Sequence, residues 1–286
     1  MTKRLFLCTD LDRTLLPNGS APESVNARRL FKSFTARNDV ILAYVTGRHL
    51  ELLEEAVESY QVPFPDYAIT DVGSKIHFHR NESWILQKDW INKIAEDWRG
   101  KTAFDLIPLF EDLEELTLQE PERQSDYKLS YFLARSLTEE RLFSELESRL
   151  ADEGIRANLT RSVDEVEGIG LLDILPRSAG KLGAIDFLRK SKGFAISETL
   201  FCGDSGNDLS VLTSPIPSVL VANASQEVRD QATEILRNKS YRDTLYLARG
   251  GLLGMNGNYS AGIIEGIVHY HKEMLNWFQD GCEDQG

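Results

Sequence analysis

Leu5-Phe6-Leu7-Cys8-Thr9-Asp10-Leu11-Asp12-Arg13-Thr14 is the stretch on which the fold turns. Its unbroken apolar run reads as a strand buried on both faces, the signature of a parallel sheet covered by helices. Asp10 and Asp12 stand where the chain leaves that strand. Like charges this close resist ionising together unless a proton or a cation intervenes. A divalent metal bound by both would leave Asp10 ionised and aimed at an electron-poor centre such as phosphorus, so the stretch implies phosphoryl transfer.

Outward from this strand, short apolar runs alternate with amphipathic segments. The buried strands expected are Leu5–Cys8, Val40–Val45, Tyr67–Thr70, Leu171–Leu175, Thr199–Cys202 and Val219–Ala222. Ser24 to Phe34 reads as a helix with Val25, Leu30, Phe31 and Phe34 inward, and Leu50 to Tyr60 reads as another. The alternation predicts an α/β chain with a Rossmann-like parallel-sheet core. Two further strands end in polar motifs, Thr46-Gly47-Arg48 after Val45 and Gly203-Asp204-Ser205-Gly206-Asn207-Asp208 after Cys202. Ligands in open α/β sheets bind outside the carboxyl ends of strands, so the three motifs are expected to meet in one pocket.

The region from about Trp84 to Gly168 has another texture, with Trp84, Trp90 and Trp98, acidic turns, the alternating run Lys128 to Leu133, and a helix at Thr138–Leu150 presenting Leu142, Phe143, Leu146 and Leu150. It reads as an inserted α+β cap. The expected division is 1–83 for the first part of the core, 84–170 for the cap and 171–286 for the rest of the core, with Gly73 and Arg80 flanking the hinge.

Each motif has a chemical reading. Thr46 offers a hydroxyl and Gly47 an approachable amide at the start of a helix, which suits an anionic phosphate. The carboxylates of Asp204 and Asp208 are hard oxygen ligands of the kind Mg²⁺ takes together with water and phosphate. Lys181, opening the helix Leu182–Leu188, supplies the cation that pairs with Asp10 and neutralises phosphate oxygens. Arg48, Gln124 and Lys128 are the candidate substrate contacts, the last two because an amide and an ammonium on a polar cap face can hydrogen-bond sugar hydroxyls. His77 and His79 alternate on an expected strand without a further ligand, and read as a solvated strand face rather than a metal site.

Composition narrows the class. A formal net charge of −13 over 286 residues excludes the basic stripe that a nucleic-acid partner requires. The three cysteines, Cys8, Cys202 and Cys282, are odd in number and widely spaced, so no disulfide framework or zinc spacing is legible, and Cys8 and Cys202 read as small buried hydrophobes. No apolar stretch approaches the roughly 20 residues that span a bilayer. The segment before Asp10 is too short for a signal peptide, so a cytoplasmic location is expected.

These motifs in this order resemble the haloacid dehalogenase-like superfamily of phosphatases, in its Cof-like group with an α+β cap, and within it the sucrose-phosphate phosphatases. Supporting stretches are Ile69 to Ile76, Leu118 to Gln124 leading to Lys128-Leu-Ser-Tyr131, Asp173-Ile-Leu-Pro176 before Ala179-Gly-Lys181, and Ala261 to Glu265. The resemblance implies Asp10 as nucleophile forming an aspartyl-phosphate, with Asp12 as acid and then base. It implies Mg²⁺ held by Asp10, the Asp12 main-chain carbonyl and Asp204, with Asp208 in support. Thr46, Gly47, Lys181 and Asn207 would bind the phosphoryl oxygens. The implied substrate is a glycosyl phosphate, sucrose 6-phosphate first, with mannosylfructose phosphate, glucosylglycerol phosphate and mannosyl-phosphoglycerate as alternatives. Association with a glycosyl-phosphate synthase is a further implication.

Overall fold

The computed structural model describes residues 4–81, 83–134, 139–164 and 168–283. Thr138 and the last three residues of the acidic tail lie outside them. The strands up to the cap are β1 (Leu5–Thr9), β2 (Val40–Val45), β3 (Tyr67–Thr70), β4 (Lys75–Arg80) and β5 (Ser83–Leu86). Then come β6 (Leu116–Leu118), β7 (Leu129–Leu133), β8 (Ala157–Asp164) and β9 (Ile169–Pro176), and after them β10 (Thr199–Gly203), β11 (Ser218–Leu220) and β12 (Leu245–Leu247).

An eight-stranded sheet runs in the order β12-β11-β10-β1-β2-β3-β4-β5. Pairing is parallel from β12 to β3 and antiparallel for β3–β4 and β4–β5. The chain builds outward from β1 in one direction and from β10 in the other, so the strand order reverses beside β1, the place where such sheets open a crevice for ligands. Strand β1 is buried throughout. Leu5 and Leu7 face a layer formed by the helices Ala27–Thr35, Leu50–Tyr60 and Ser260–Tyr270, while Phe6 and Cys8 face the layer of Lys88–Ala95 and Lys181–Ser191. Cys8 and Cys202 are both buried and unpaired with each other. No helix among the described residues is long and apolar enough to cross a membrane.

A second sheet, antiparallel in the order β6-β7-β9-β8, forms the cap. One of its faces packs Leu129, Tyr131, Leu172 and Ile174 against Leu142, Leu146 and Leu150 of the helix Glu139–Asp152. Phe143, expected on the same face, is only partly buried.

Strand pairing moves the expected limits of the cap. Leu171–Leu175, read as a core strand, lies within β9 and pairs with β7 and β8, so the chain returns to the large sheet's layers after Pro176. At the other limit, β5 with Trp84 closes the large sheet, and Trp90 packs on Phe187 with its indole N–H donating to the Gly73 carbonyl at 3.2 Å. An apolar run cannot say which sheet it joins, because β9 buries Leu172 and Ile174 against cap helices and so carries the same residue types as a core strand. The two crossings are tied together at Asp97, buried, whose carboxylate accepts the Ser178 N–H at 2.6 Å.

Gly73 is held backbone to backbone against Gly180. A side chain there would meet the Gly180 carbonyl carbon at 2.3 Å, and its φ of +91° also requires glycine. Arg80 ends β4 in a hairpin of the large sheet and is remote in the chain from both crossings. Val25 is 85 % exposed, because the helix starts at Ala27 after a left-handed Asn26 that turns the chain away from the core. His77 also departs from expectation. It is buried on β4, whereas His79 on the same strand is exposed.

Candidate active site

The carboxyl ends of β1, β2 and β10 bring the three motifs together with the start of the helix Lys181–Ser191. Asp10 continues β1, its N–H donating to the Cys202 carbonyl at 2.9 Å, and its side chain is buried at the switch point. Lys181 is 1 % exposed, and its ammonium donates to Asp10 Oδ2 (2.9 Å), Asn207 Oδ1 (2.9 Å) and Asp208 Oδ1 (2.7 Å). All of its protons are therefore directed at named acceptors.

Asp208 owes its position to the backbone around it. Its Oδ2 accepts the N–H groups of Asp204 (3.0 Å) and Ser205 (3.1 Å), so the motif folds back on itself as a one-turn cap. Gly203 makes room for this, since a β-carbon there would fall 2.6 Å from the Asp208 carboxyl carbon. Asp204 accepts from Thr14 Oγ1 at 3.0 Å and faces the Arg13 guanidinium at 3.3 Å.

Asp10, Asp204 and Asp208 each present an oxygen within 4.8 Å of the others, and all three are buried. Burial pushes the Asp10 carboxyl up, the Lys181 ammonium pulls it down, and Asp208, Asp204 and Asp12 push it up again, for a net value well above the carboxylate range. Asp204 is pushed up to about 7 by burial and by Asp208, against the pull of Arg13, Thr14 and Lys181. The Lys181 ammonium is held in its charged form, because Asp10 and Asp208 outweigh the effect of burial. A hard divalent cation fits this donor set. It would replace the protons that crowding otherwise forces onto the carboxyls, in the oxygen-only environment that Mg²⁺ prefers.

Asp12 is in a different situation. Its carboxylate is gripped by Arg48, with Nε to Oδ2 at 2.8 Å and a terminal nitrogen to Oδ1 at 2.6 Å, and Asn18 Nδ2 adds a bond to Oδ1 at 2.7 Å. Burial raises this carboxyl, but the hydrogen bonds and charge of Arg48 and the bond from Asn18 outweigh it and leave Asp12 below its ordinary value. The Asp12 side chain thus stays out of the acidic cluster. Arg48, expected to reach substrate, lines the cavity, and its guanidinium is bonded to Asp12 and to the Leu52 carbonyl at 3.1 Å.

Thr46 is buried at the end of β2. Its Oγ1 accepts the Arg48 N–H at 3.1 Å, and Gly47 opens toward the cavity, with nothing closer to a would-be β-carbon than Val72 at 3.8 Å. Arg13, Asp71 and Val72 have φ of +57°, +51° and +57°, so non-glycine residues in the left-handed region gather around the site, where such strain is commonly stored.

The cavity over these groups has a volume of about 210 Å³, and its roof is the polar face of the cap: Gln119, Arg123, Lys128, Ser162 and Asp173. Asp173 accepts from Ser130 Oγ at 2.5 Å and faces the Lys128 ammonium at 3.9 Å, and that ammonium donates to the Arg123 carbonyl at 2.7 Å. Gln124 is not in the roof. Its amide donates to the Gln119 and Ser130 carbonyls at 3.0 and 2.9 Å and accepts the Ser130 N–H at 2.8 Å, pinning the turn before β7. Gln119, Arg123, Ser162 and Asp173 escaped the reading of the sequence. The signal for Asp173 was there, as an acid alternating with Leu172 and Ile174, but it was hidden by assigning that strand to the core.

The family model of sucrose-6F-phosphate phosphohydrolase matches residues 3–271. The chain belongs to that family. Its members are phosphatases with the haloacid dehalogenase-like fold, and the likeness extends to the whole architecture. The chain is 47 % identical to a putative HAD-like hydrolase of Nitrosococcus oceani, over 99 % of this chain and 76 % of the relative. It is 30 % identical to sucrose-phosphatase 1 of Nicotiana tabacum, over 94 % of this chain. It spans only 59 % of that plant relative's length. Among solved structures, the sucrose-phosphatase of Synechocystis sp. PCC6803, in complex with sucrose and phosphate, superposes with a TM-score of 0.75 at 26 % identity, covering 94 % of this chain and 98 % of the other.

Proposed function

We propose that this family member is a Mg²⁺-dependent phosphomonoesterase that hydrolyses a glycosyl phosphate, sucrose 6-phosphate foremost, in two steps through Asp10. The observation that carries this reading is Asp10 itself, buried at the switch point, 2.9 Å from the Lys181 ammonium, with Asp204 and Asp208 beside it. Mg²⁺ would be held by Asp10, Asp204, Asp208 and the Asp12 carbonyl, and would supply charge neutralisation of the phosphoryl oxygens.

The chain's own groups divide the work. Lys181 orients Asp10 and carries positive charge to the phosphoryl group, while Thr46 Oγ1, the Gly47 amide and Asn207 stand around the same space. An oxygen of Asp10 attacks phosphorus. The bond from phosphorus to the sugar oxygen breaks, its electron pair stays with that oxygen, and the oxygen takes from Asp12 the proton that this carboxylate has picked up from solvent on release by Arg48 Nε. Water then attacks the acyl phosphate and gives a proton back to Asp12, releasing phosphate and restoring the Asp10 carboxylate. With Asn18 donating to Asp12 Oδ1, Oδ2 is the oxygen left to carry the proton once Arg48 Nε lets go. A polar roof suits a polyhydroxyl ligand, because Gln119, Arg123, Lys128 and Asp173 bring both donor and acceptor groups to the cavity. A cavity of about 210 Å³ is smaller than ordinary ligand pockets of roughly 300–1,000 Å³, so the cap would open to admit a disaccharide and close to exclude water.

The test is phosphate release from a panel of phosphorylated sugars, with Mg²⁺ and with a chelator. The expected result is Mg²⁺-dependent release with the highest kcat/KM on sucrose 6-phosphate. Preference for another glycosyl phosphate would move the specificity while keeping the chemistry. Release unaffected by chelator would overturn the metal-dependent reading.

A further inference from the structure

Asn18 sits in the loop after the Asp12 turn and is exposed, a position where an asparagine ordinarily does no more than favour a turn. Both ends of its amide point inward here. Oδ1 accepts the Arg13 N–H at 2.8 Å, and Nδ2 donates to Asp12 Oδ1 at 2.7 Å. The orientation is fixed by chemistry, since the flipped amide would set its NH₂ against an N–H and its oxygen against a carboxylate. The peptide that follows is held from the other side. The Arg13 carbonyl accepts Asn223 Nδ2 at 2.6 Å, and Asn223 Oδ1 accepts the Tyr259 N–H at 2.9 Å. Arg13, caught between the two asparagines, is left-handed, with φ at +57°.

Building on the phosphatase reading, we propose that Asn18 is a positioning residue for the proton-transferring carboxyl of Asp12. The geometry distinguishes it from Arg48. Two parallel donors of a guanidinium need both carboxyl oxygens as acceptors, so Arg48 can hold Asp12 in this pose only while both oxygens are bare. A single amide donor on Oδ1 leaves Oδ2 available to give or take a proton. Asn18 therefore keeps Asp12 in place through proton transfer in both steps, when Arg48 Nε must let go. The polypeptide contributes rigidity through Asn223 and Tyr259, which tie the Arg13 peptide to the segment ahead of the helix Ser260–Tyr270.

The test compares two leaving groups. A sugar alkoxide needs a proton as it departs, whereas 4-nitrophenolate leaves as a stable anion. The kcat/KM of each substrate reports the step in which the leaving group departs. Asn18→Ala is expected to lower kcat/KM on the best sugar phosphate of the panel about tenfold or more, and on 4-nitrophenyl phosphate less than about threefold. Asn18→Asp keeps the acceptor for the Arg13 N–H and replaces the donor to Asp12 with a like charge. Positioning predicts a loss at least as large as in Asn18→Ala, whereas a purely structural loop anchor predicts activity near wild type. An Asn18→Asp protein with wild-type kcat/KM, or an Asn18→Ala protein losing both substrates equally, overturns the proposal while leaving the phosphatase reading intact. A wild-type chain inactive on every phosphate overturns both.

Discussion

The floor of the cavity is made of side chains that have little freedom. Asp10, Lys181 and Asp208 interlock at 2.7–2.9 Å, all three are nearly inaccessible, and each leaves a buried strand or opens a helix. The roof is a different kind of surface. Ser162 and Asp173 lie on β8 and β9 of a small antiparallel sheet whose opposite face packs a helix, Gln119, Arg123 and Lys128 stand on the segment between β6 and β7, and Arg123 is exposed. On the proposed reading, chemistry on the floor depends on residues that the fold cannot move, whereas selection on the roof depends on residues that the fold can replace. Substitutions at the two should accordingly separate kcat from KM.

The largest effect belongs to the floor. Asp10→Asn removes the oxygen proposed to attack phosphorus, and kcat should fall by about four orders of magnitude or more, with circular dichroism unchanged. Activity retained within tenfold would mean that another group attacks phosphorus. On the roof, Arg123→Ala should raise KM for a sugar phosphate about tenfold and leave kcat within a factor of three, because an exposed arginine facing a ligand contributes binding without touching the reacting atoms. A fall in kcat with KM unchanged would erase the distinction between the two surfaces.

Legibility in the sequence follows the same division. The floor could be read because each of its motifs is contiguous and directly follows an apolar run, as with Asp10 after β1 and Asp204 after β10. The partners of Asp12 could not be read. Arg48 is 36 residues away and meets Asp12 only because β1 and β2 are parallel neighbours. The roof was mostly illegible. Gln119, Arg123 and Lys128 come from the turn-rich segment between β6 and β7, Ser162 and Asp173 from strands whose sheet membership depends on pairing, and β9 is apolar enough to pass for core. Lys128 does line the cavity, whereas Gln124, four residues before it and equally polar, is consumed by backbone groups. No property of the two residue types distinguishes those fates.

Gln124 gives the next prediction. Its amide satisfies backbone groups of Gln119 and Ser130, so Gln124→Ala should cost about 1–3 kcal/mol of stability while changing KM less than threefold. A KM rise as large as that of Arg123→Ala, without loss of stability, would return Gln124 to the roof.

The smallest effect tests whether acid acts on the floor or on the fold beneath it. His77 lies on β4 with Nε2 buried and without a partner among the described residues, and burial, assisted by Lys75, lowers its pKa to about 4. An unfolded histidine titrates near 6.5, so below that pH the unfolded chain binds a proton that the folded chain refuses. The stability due to a neutral His77 is complete above about pH 6.5 and is lost progressively as the pH falls toward 4, amounting to about 1 kcal/mol at pH 6. The acidic cluster titrates over an overlapping range, since Asp204 stands at about 7, so an activity profile alone would mix the two effects. Their separation lies in a difference. Urea unfolding of wild type and His77→Gln should give curves of stability against pH that run parallel above pH 7 and converge below 6.5, because the floor contributes equally to both. Curves parallel down to pH 5 would mean that His77 takes up no proton on unfolding, and would leave the floor as the source of any acid sensitivity in that range.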